Sequence, residues 1–357
     1  MINTKINQIK RLVSDSLTYV KLKFYSPPKN DKTLLINFKN PNLYHRFFYL
    51  LVKFYQLSGY NIIYPMNFAR FRNLRNKDRY LGLIVREKNF LSIHKKNLPE
   101  HFIEINDEMF SPDYFSTYFE HKNIDENAFH VPMSFHPSMY NKEIWNHKID
   151  TERKRFNSVF CYGNFDAKAY LDIKRTAFTV ETRVNLLDFF RKREKFISLN
   201  RKNDIVSSNE NLDEKYVFAI KKNYQIKTAD IRELLSYFNF YLCCPGVVMP
   251  LCHNVIEAMS VGTIPLIQKE YAEVMYPNLQ HKTNAIIFEN INHLEQILEQ
   301  EIFTLPEHEI SAMRSNVLEY YNSYLTPKAL VKSLNKSIKE KKLIYLQAEH
   351  RSIKFIR

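Results

Sequence analysis

Cysteine and glycine are both scarce in this chain, and the way they are placed excludes several classes of protein. The cysteines are Cys161, Cys243, Cys244 and Cys252. No pair has the CxxC spacing of a zinc site, and nothing indicates a disulfide framework, so a reducing cytoplasm is expected. Only five glycines occur among 357 residues. Each is therefore expected where the backbone needs its conformational freedom.

Long apolar runs and several catalytic motifs are also missing. No run approaches the roughly twenty residues that span a bilayer. Near the start of the chain, Lys5, Lys10, Arg11 and Asp15 interrupt the apolar positions, which a signal peptide does not show. No GxSxG, HExxH or P-loop motif is present. Their absence argues against the commonest hydrolases and nucleoside triphosphatases.

Positive charge is present in excess. The formal net charge is +14, and a basic surface attracts phosphate-bearing molecules. The charge could serve nucleic acid, an anionic membrane surface, or simple solubility in a lysine-rich composition. No RNA- or DNA-binding motif is visible, so nucleic acid is not expected as a partner.

The length and the hydrophobic content of 45% predict two domains. Residues 1–30 are predicted to form an N-terminal amphipathic helix, because apolar residues recur at helical spacing with basic residues between them. Such a helix lies on a membrane surface or packs on its own protein. Residues 31–150 and 151–325 are predicted as two α/β domains, and residues 326–357 as a basic C-terminal helix.

Short apolar runs alternate with helical patterns in residues 31–150. Strands are predicted at Thr33–Phe38, Tyr60–Tyr64 and Leu81–Val85, with a helix from Asn40 to Leu57 between the first two. This strand–helix–strand order is a βαβ unit. In the second half, a strand is predicted at residues 204–207 and a helix at residues 230–238.

The clearest pattern is the stretch from Phe240 to Ile267, FYLCCPGVVMPLCHNVIEAMSVGTIPLI. A buried strand closed by Pro245-Gly246 precedes a helical repeat that ends at Gly262, and a second buried strand follows. This βαβ unit requires a parallel pair with a right-handed crossover. Ligands of such sheets bind at the carboxyl ends of the strands. That edge would hold Gly246, His253, Asn254 and Glu257.

The stretch resembles the donor-binding domain of glycosyltransferases of the two-Rossmann (GT-B) architecture, including exostosin-like and related bacterial surface-polysaccharide families. The matching features are the Cys244-Pro245-Gly246 loop, the Glu257-Ala258-Met259 helix and the Gly262-Thr263-Ile264-Pro265-Leu266-Ile267 strand. The resemblance implies an α/β fold of two Rossmann-like domains facing a cleft, with a C-terminal helix that crosses back to the first domain. It also implies that Glu257 binds the ribose of a nucleotide-sugar donor.

The resemblance further implies a set of donor-binding positions, where basic side chains neutralise the diphosphate and glycines allow a close approach. They are Gly163, Asn164, Arg183, Lys221, Lys222, Gly246, His253, Asn254, Glu257, Gly262 and Thr263. Each has an ordinary alternative: the basic residues could be solvated, Asn254 could cap its helix, and Glu257 could be an exposed helical glutamate.

The chemistry expected of such an enzyme has a further requirement. Retaining enzymes of this architecture usually carry an additional glutamate near residues 247–249, where this chain has none, which favours an inverting reaction. Inversion needs a base for the acceptor hydroxyl, and Asp107, Glu108 and His45 are the candidates. His94, His130 and His136 lie beside apolar residues and are more often structural. No Asp-x-Asp pair occurs, so neither a metal ion nor a cofactor is expected.

The predicted function is the transfer of a hexosyl or deoxyhexosyl group from a nucleotide sugar to a glycan or lipid-linked acceptor in bacterial surface-polysaccharide synthesis. The enzyme would be cytoplasmic and could lie on the inner face of an anionic membrane. Two alternatives stay open. One is a non-catalytic nucleotide- or sugar-binding protein of the same fold, and the other is a basic nucleic-acid-binding protein.

Overall fold

The computed structural model describes residues 2–28, 30–95, 98–111, 127–170, 179–199, 212–246 and 251–346. These residues form two compact units. The first unit takes the described residues up to 111, then 127–131 and 327–346, and the second takes those within 132–326. The chain passes between the units after Val131 and again after Thr326.

A small parallel sheet forms the centre of the first unit. Strand β1 (Thr33–Asn37) lies between β2 (Asn61–Ile63) and β3 (Ile103–Asn106), and both neighbours are parallel to it. Helices of this unit are α1 (Ile2–Phe24), α2 (Arg46–Leu57), α3 (Phe68–Lys77) and α4 (Leu83–Arg86). Helix α2 is buried from Phe47 to Tyr55, as its continuous apolar run predicts.

The strand predicted at Leu81–Val85 is wrong, because α4 occupies most of that run. The side chain of Asp78 accepts hydrogen bonds from the backbone N–H groups of Tyr80 and Leu81, both at 2.8 Å. These bonds turn the backbone ahead of the apolar residues and start a helix. An apolar run this short does not distinguish a strand from a buried helix by periodicity alone.

Helix α1 packs on α3 of its own unit. Asp15 is only 1% exposed and faces Nε of Arg72 and Nη1 of Arg75, each at 3.2 Å. The Tyr19 ring packs against Phe68 and Phe71 with centroids 5.3 Å apart. The helix also carries large apolar side chains that are exposed: Ile6, Ile9, Leu12, Val13, Leu17, Val20 and Phe24. We call this set the α1 apolar face.

The C-terminal part of the chain completes the first unit. Helix α12 (Pro327–Lys339) packs along α2, and Tyr55 donates a 2.7 Å hydrogen bond to Oδ1 of Asn335. The last helix therefore lies with the first unit, as the resemblance implied. The basic helix predicted for residues 326–357 ends at Lys339. Strand β12 (Leu343–Tyr345) follows and pairs in parallel with β4 (Phe110–Ser111) and β5 (Ala128–His130).

The second unit is built on a six-stranded parallel sheet of order β11-β10-β9-β6-β8-β7. Its strands are β6 (Phe156–Gly163), β7 (Phe196–Leu199), β8 (Tyr216–Ile220), β9 (Phe238–Leu242), β10 (Ile264–Gln268) and β11 (Ile286–Phe288). Its helices are α5 (Pro137–Asn141), α6 (Arg183–Arg191), α7 (Ile231–Leu235), α8 (His253–Met259), α9 (Lys269–Ala272), α10 (Ile291–Gln300) and α11 (Glu307–Tyr320). The predicted fold class, α/β in two units on parallel sheets, is confirmed.

Two details of the second unit differ from the predictions. Strand β9 begins at Phe238, since the helix before it ends at Leu235 rather than at residue 238. The strand predicted at residues 204–207 lies outside the described residues. The predicted pair in the central stretch is present, with Ile264 opposite Phe240 and Leu266 opposite Leu242 in a parallel register.

Asp15→Asn tests how α1 is held. The substitution keeps the side-chain shape but removes the charge that Arg72 and Arg75 face, so we expect the α1–α3 contact to lose about 1.5 kcal/mol, the low end for hydrogen bonds to a charged group, because both arginines remain partly exposed to solvent. Hydrogen–deuterium exchange of α1 should become faster, while that of α2 stays unchanged. Asp31→Asn, at an exposed position, is the matched control. Unchanged exchange in α1 of the Asp15→Asn protein would contradict this role.

Candidate functional site

The carboxyl ends of the parallel strands in the second unit bring several predicted residues to one edge. Gly163 ends β6, Lys221 follows β8, and Gly246 lies in the loop after β9. The backbone N–H of Lys221 donates to the Gly163 carbonyl at 2.9 Å, which joins the ends of β6 and β8. Asn164 and Lys222 continue the chain from these ends, and both are exposed.

Arg183, at the start of α6, connects the segments that form this edge. Its side chain is buried; Nε donates to the Pro245 carbonyl at 2.8 Å, and Nη2 donates to Sγ of Cys252 at 3.2 Å. A Cβ atom on Gly163 would collide with Nη1 of Arg183. Glycine is therefore needed at position 163 so that the guanidinium can lie against the strand end. Arg183 supports the loops of the edge rather than projecting from it.

Asn254 sits at this edge with an incompletely satisfied side chain. It is 5% exposed, and its Nδ2 donates to the Cys244 carbonyl at 3.3 Å. Its Oδ1 is buried with no hydrogen-bond partner among the described residues. A buried amide oxygen without a donor is unfavourable. A ligand hydroxyl or N–H group could supply that donor.

Glu257 carries a buried carboxylate one helical turn after His253. Its side chain is 4% exposed, and Oε1 lies 3.3 Å from Nδ1 of His253, whose side chain is 36% exposed. Among the described residues, His253 is the one basic side chain within ion-pair distance of Glu257. The alternative that Glu257 is an exposed helical glutamate is therefore wrong, because its side chain is buried. A buried carboxylate with so few donors can accept hydrogen bonds from a ligand.

Sequence reasoning gave His136 little weight, yet its ring lies beside the site. The His136 and His253 rings meet edge to face with centroids 5.6 Å apart. His136 also caps α5, because its Nδ1 accepts from the backbone N–H of Ser138 at 3.3 Å. No local motif could have revealed this pairing, since the two histidines are far apart in the sequence.

Gly262 and Thr263 lie at the opposite edge of the sheet, at the amino end of β10. Thr263 is buried; its hydroxyl donates to the Leu235 carbonyl at 2.8 Å and accepts from Arg155 at 3.0 Å. Gly262 has φ of 71°, and a Cβ there would lie 3.1 Å from Leu318. Both residues therefore shape the turn between α8 and β10. This placement corrects their assignment to the donor site.

The three candidate bases lie in the first unit, after the carboxyl ends of its strands or at the start of α2. Both carboxylate oxygens of Asp107 accept backbone N–H groups, Oδ1 from Asn40 at 3.0 Å and Oδ2 from Lys39. Asp107 therefore braces the loop after β1. His45 has φ of 46°, and its Nδ1 lies 3.7 Å from Asp78. Glu108 is exposed. Of the three candidate side chains, its carboxylate makes the fewest contacts with other described residues.

Cys252, immediately before α8, is a residue that motif reasoning missed. Burial acts to raise the pKa of its thiol, but the neighbouring His253 and Arg183 and the backbone N–H of Asn254 lower that pKa below its ordinary value. Its own N–H donates to the hydroxyl of Tyr271 at 2.8 Å. A partly exposed thiol next to a guanidinium is more nucleophilic than an ordinary buried cysteine.

Within the residues that the structure describes, no group of three or more His, Cys, Asp or Glu side chains is arranged to hold a metal ion. In the same part of the chain, no helix has the length and apolar character needed to cross a membrane.

Several solved structures are similar to this chain. A mutant of TarM from S. aureus, in complex with fondaparinux, alpha-GlcNAc-glycerol and UDP, is 14% identical with a TM-score of 0.35, and the match covers 81% of this chain and 59% of TarM. WaaG, a glycosyltransferase involved in lipopolysaccharide biosynthesis, is 12% identical with a TM-score of 0.31, over 77% of each chain. A glycosyltransferase from Rickettsia africae is 10% identical with a TM-score of 0.38, over 89% of this chain and 99% of that one.

WaaG and the Rickettsia africae protein are glycosyltransferases, the class that the central stretch resembles. This chain spans less than two thirds of the length of TarM. No protein-family model and no curated protein matches the sequence.

The thiols should differ in their reaction with iodoacetamide. Because its pKa is lowered, Cys252 should form the reactive thiolate at a lower pH than a free cysteine does. Burial raises the pKa of Cys161 and Cys243, so both should react slowly in the folded protein. Peptide mass spectrometry after timed alkylation at several pH values measures each rate. Equal rates for Cys252 and Cys243 would contradict the described environment.

Proposed function

We propose that this chain is a glycosyltransferase that binds a nucleotide-sugar donor at the carboxyl edge of its six-stranded sheet. The observation that carries the proposal is the buried carboxylate of Glu257, set beside His253 and the amide of Asn254. These groups lie within the stretch that resembles the donor-binding domain of two-Rossmann transferases. They also lie at the edge where open parallel sheets bind ligands.

The hydrogen-bond acceptors and the positive charges of the site indicate which ligand groups it would bind. Glu257 is an acceptor of hydrogen bonds, and the two hydroxyl groups of a ribose are donors placed side by side. The buried Oδ1 of Asn254 lacks a donor among the described residues, and a sugar hydroxyl would supply one. Lys221 and Lys222 follow strand β8, which is separated from β9 by β6 in the sheet, and their ammonium groups would balance the negative charge of a diphosphate.

The proposed reaction is an inverting transfer. A base removes the proton of the acceptor hydroxyl, the acceptor oxygen forms a bond to the anomeric carbon, and the bond to the nucleoside diphosphate breaks. Basic side chains, not a divalent cation, would stabilise the leaving diphosphate, which agrees with the lack of an Asp-x-Asp pair in the sequence. Glu108 is the favoured base, since the carboxylate of Asp107 is committed to backbone N–H groups.

The acceptor is proposed to be a glycan or a lipid-linked sugar used in surface-polysaccharide synthesis, and the enzyme to act at the inner face of an anionic membrane. Support for a membrane position comes from the α1 apolar face, which runs along the helix from Ile6 to Phe24. Lys10, Lys21 and Lys23 lie on the same helix. Exposed apolar side chains combined with lysines on one helix suit the surface of an anionic bilayer.

A second candidate function is a nucleotide- or sugar-binding protein without catalysis. The observation that favours it is the state of Asp107, which braces a loop through both oxygens and is a poor base in that arrangement. Donor binding without turnover across an acceptor panel would support this alternative.

Glu257→Ala tests the donor site. A nucleotide sugar at about a hundred times its dissociation constant should stabilise the wild-type protein by roughly 2.7 kcal/mol. Glu257→Ala should lose most of this effect, because the ribose loses its acceptor. Thermal-shift measurements with UDP, GDP, CMP and dTDP sugars, with and without a chelator, provide the readout.

Glu299→Ala, at an exposed helical position of the same unit, is the control and should keep the full shift. If no nucleotide stabilises the wild type, or if Glu257→Ala retains the shift, the proposed site is wrong. A shift that the chelator abolishes would instead contradict the metal-independent reaction.

Val13→Glu with Leu17→Glu tests the membrane position. Placing two carboxylates on the α1 apolar face removes apolar area and adds charge that anionic lipids repel, so co-sedimentation with phosphatidylglycerol vesicles should fall at least about tenfold. Phe102→Glu with Leu343→Glu makes the same chemical change at two other exposed apolar positions of the first unit. Equal vesicle binding by the two double variants would contradict a role for this face.

A further inference from the structure

An open pocket of about 610 Å³ lies at the amino-terminal edge of the sheet in the first unit. Lys32 immediately precedes β1, Tyr60 immediately precedes β2, and helix α12 forms a further wall. Asp107 and Glu108 follow the other end of this sheet, at the end of β3. The pocket is therefore separate from the candidate bases, and a volume of this order suits a small molecule or a headgroup.

The lining of this pocket is strongly basic. Five of its nine lining residues are lysines and none is acidic. The lysines are Lys32, Lys328, Lys332, Lys336 and Lys339. Among the described residues, the one ion pair made by these five is between Lys336 and Glu340, at 3.8 Å. Positive charge gathered in a concave surface raises the local concentration of anions.

Helix α12 directs most of this charge into the pocket. Lys328, Lys332 and Lys336 follow one another at four-residue spacing, so their side chains share one helix face. The buried side of the helix, which includes Leu330 and Leu334, does not carry them. Like charges at this spacing destabilise a helix. A bound anion would reduce that repulsion. Anion binding would therefore explain why three lysines share one face of the helix.

Polar groups between α2 and α12 add a fixed hydrogen-bond donor. Tyr55 donates to Oδ1 of Asn335 at 2.7 Å, and Nδ2 of Asn335 donates to the hydroxyl oxygen of Tyr60 at 3.0 Å. The hydroxyl of Tyr60 thus acts as an acceptor from one side. Its own proton has no acceptor in the described part of the chain, and Tyr60 lines the pocket. That O–H group can donate to a bound oxyanion.

We propose that this pocket binds an anion that carries two or more phosphate groups. The lysines would act as point charges on the phosphate oxygens, and Tyr60 would orient one of them. Two or more phosphate groups are supplied by a soluble polyphosphate or by neighbouring headgroups of an anionic membrane. The inference does not depend on donor binding in the second unit, because none of the lining residues belongs to that unit.

Calorimetric titration of the full chain with tripolyphosphate, at about 0.15 M ionic strength so that distant charges are screened, tests the proposal. The triple variant Lys328→Gln, Lys332→Gln, Lys336→Gln should bind at least about tenfold more weakly, since a hydrogen bond to a charged group is worth about a tenfold step in affinity. Circular dichroism and thermal unfolding without ligand verify that the variant is folded.

A matched control removes the same charge elsewhere, through Lys148→Gln, Lys154→Gln and Lys192→Gln at exposed positions of the second unit. This control should bind tripolyphosphate as the wild type does. Tyr60→Phe, which keeps all lysines, should bind more weakly than the wild type. If the control triple loses as much affinity as the pocket triple, net charge alone explains binding and the proposal is overturned.

Vesicle binding identifies the source of the phosphate. Two results together would support a soluble polyphosphate as the ligand. The pocket triple would bind tripolyphosphate more weakly than the control triple does, and both triple variants would sediment equally with phosphatidylglycerol vesicles. A selective loss of vesicle binding by the pocket triple would support a lipid headgroup. If the pocket triple matches the control triple in both assays, the pocket has no specific role in anion binding and the proposal fails.

Discussion

The buried guanidinium of Arg183 is the interaction on which the edge of the second unit depends. It joins the Pro245 carbonyl to the thiol of Cys252 and lies against the backbone of Gly163. These contacts connect the end of β6, the loop after β9 and the start of α8. Burial of a charge is unfavourable unless its donors are satisfied. The positions of those three segments are therefore coupled, and the segments that precede and carry Glu257 and Asn254 are held in place.

This coupling explains why the site was only partly predictable. The strands and helix between Phe240 and Ile267 were predictable because buried apolar runs end at Pro245-Gly246 and at Gly262. The role of Arg183 was not, since its partners lie 62 and 69 residues away in the sequence. The same limit applies to His136 and His253, which meet only in the folded chain. Gly262 and Thr263 lie where the predicted helix gives way to the predicted strand, but a motif does not say at which edge of the sheet that turn lies.

In the first unit, some sequence patterns predicted the element that forms but not its packing, and one predicted the wrong element. The apolar periodicity within residues 1–30 predicted an amphipathic helix, and α1 spans Ile2–Phe24. The structure shows the helix packed on its own protein, because Asp15 and Tyr19 hold it to α3, while the α1 apolar face stays exposed. Leu81–Val85 was misread, since Asp78 turns the backbone just before it. The basic C-terminal helix was predicted, but the lysine pocket depends on its packing against α2, which composition does not reveal.

The most direct measurement of the central claim is a crystal structure of the full chain with the nucleoside diphosphate that stabilises it best. The account predicts density at the carboxyl edge of the six-stranded sheet, with ribose hydroxyls within about 3 Å of Glu257. The diphosphate should lie towards His253 and the loop that holds Gly246, and a sugar hydroxyl should donate to Oδ1 of Asn254. A nucleotide bound away from Glu257, or an edge that stays empty at saturating concentration, would contradict the account.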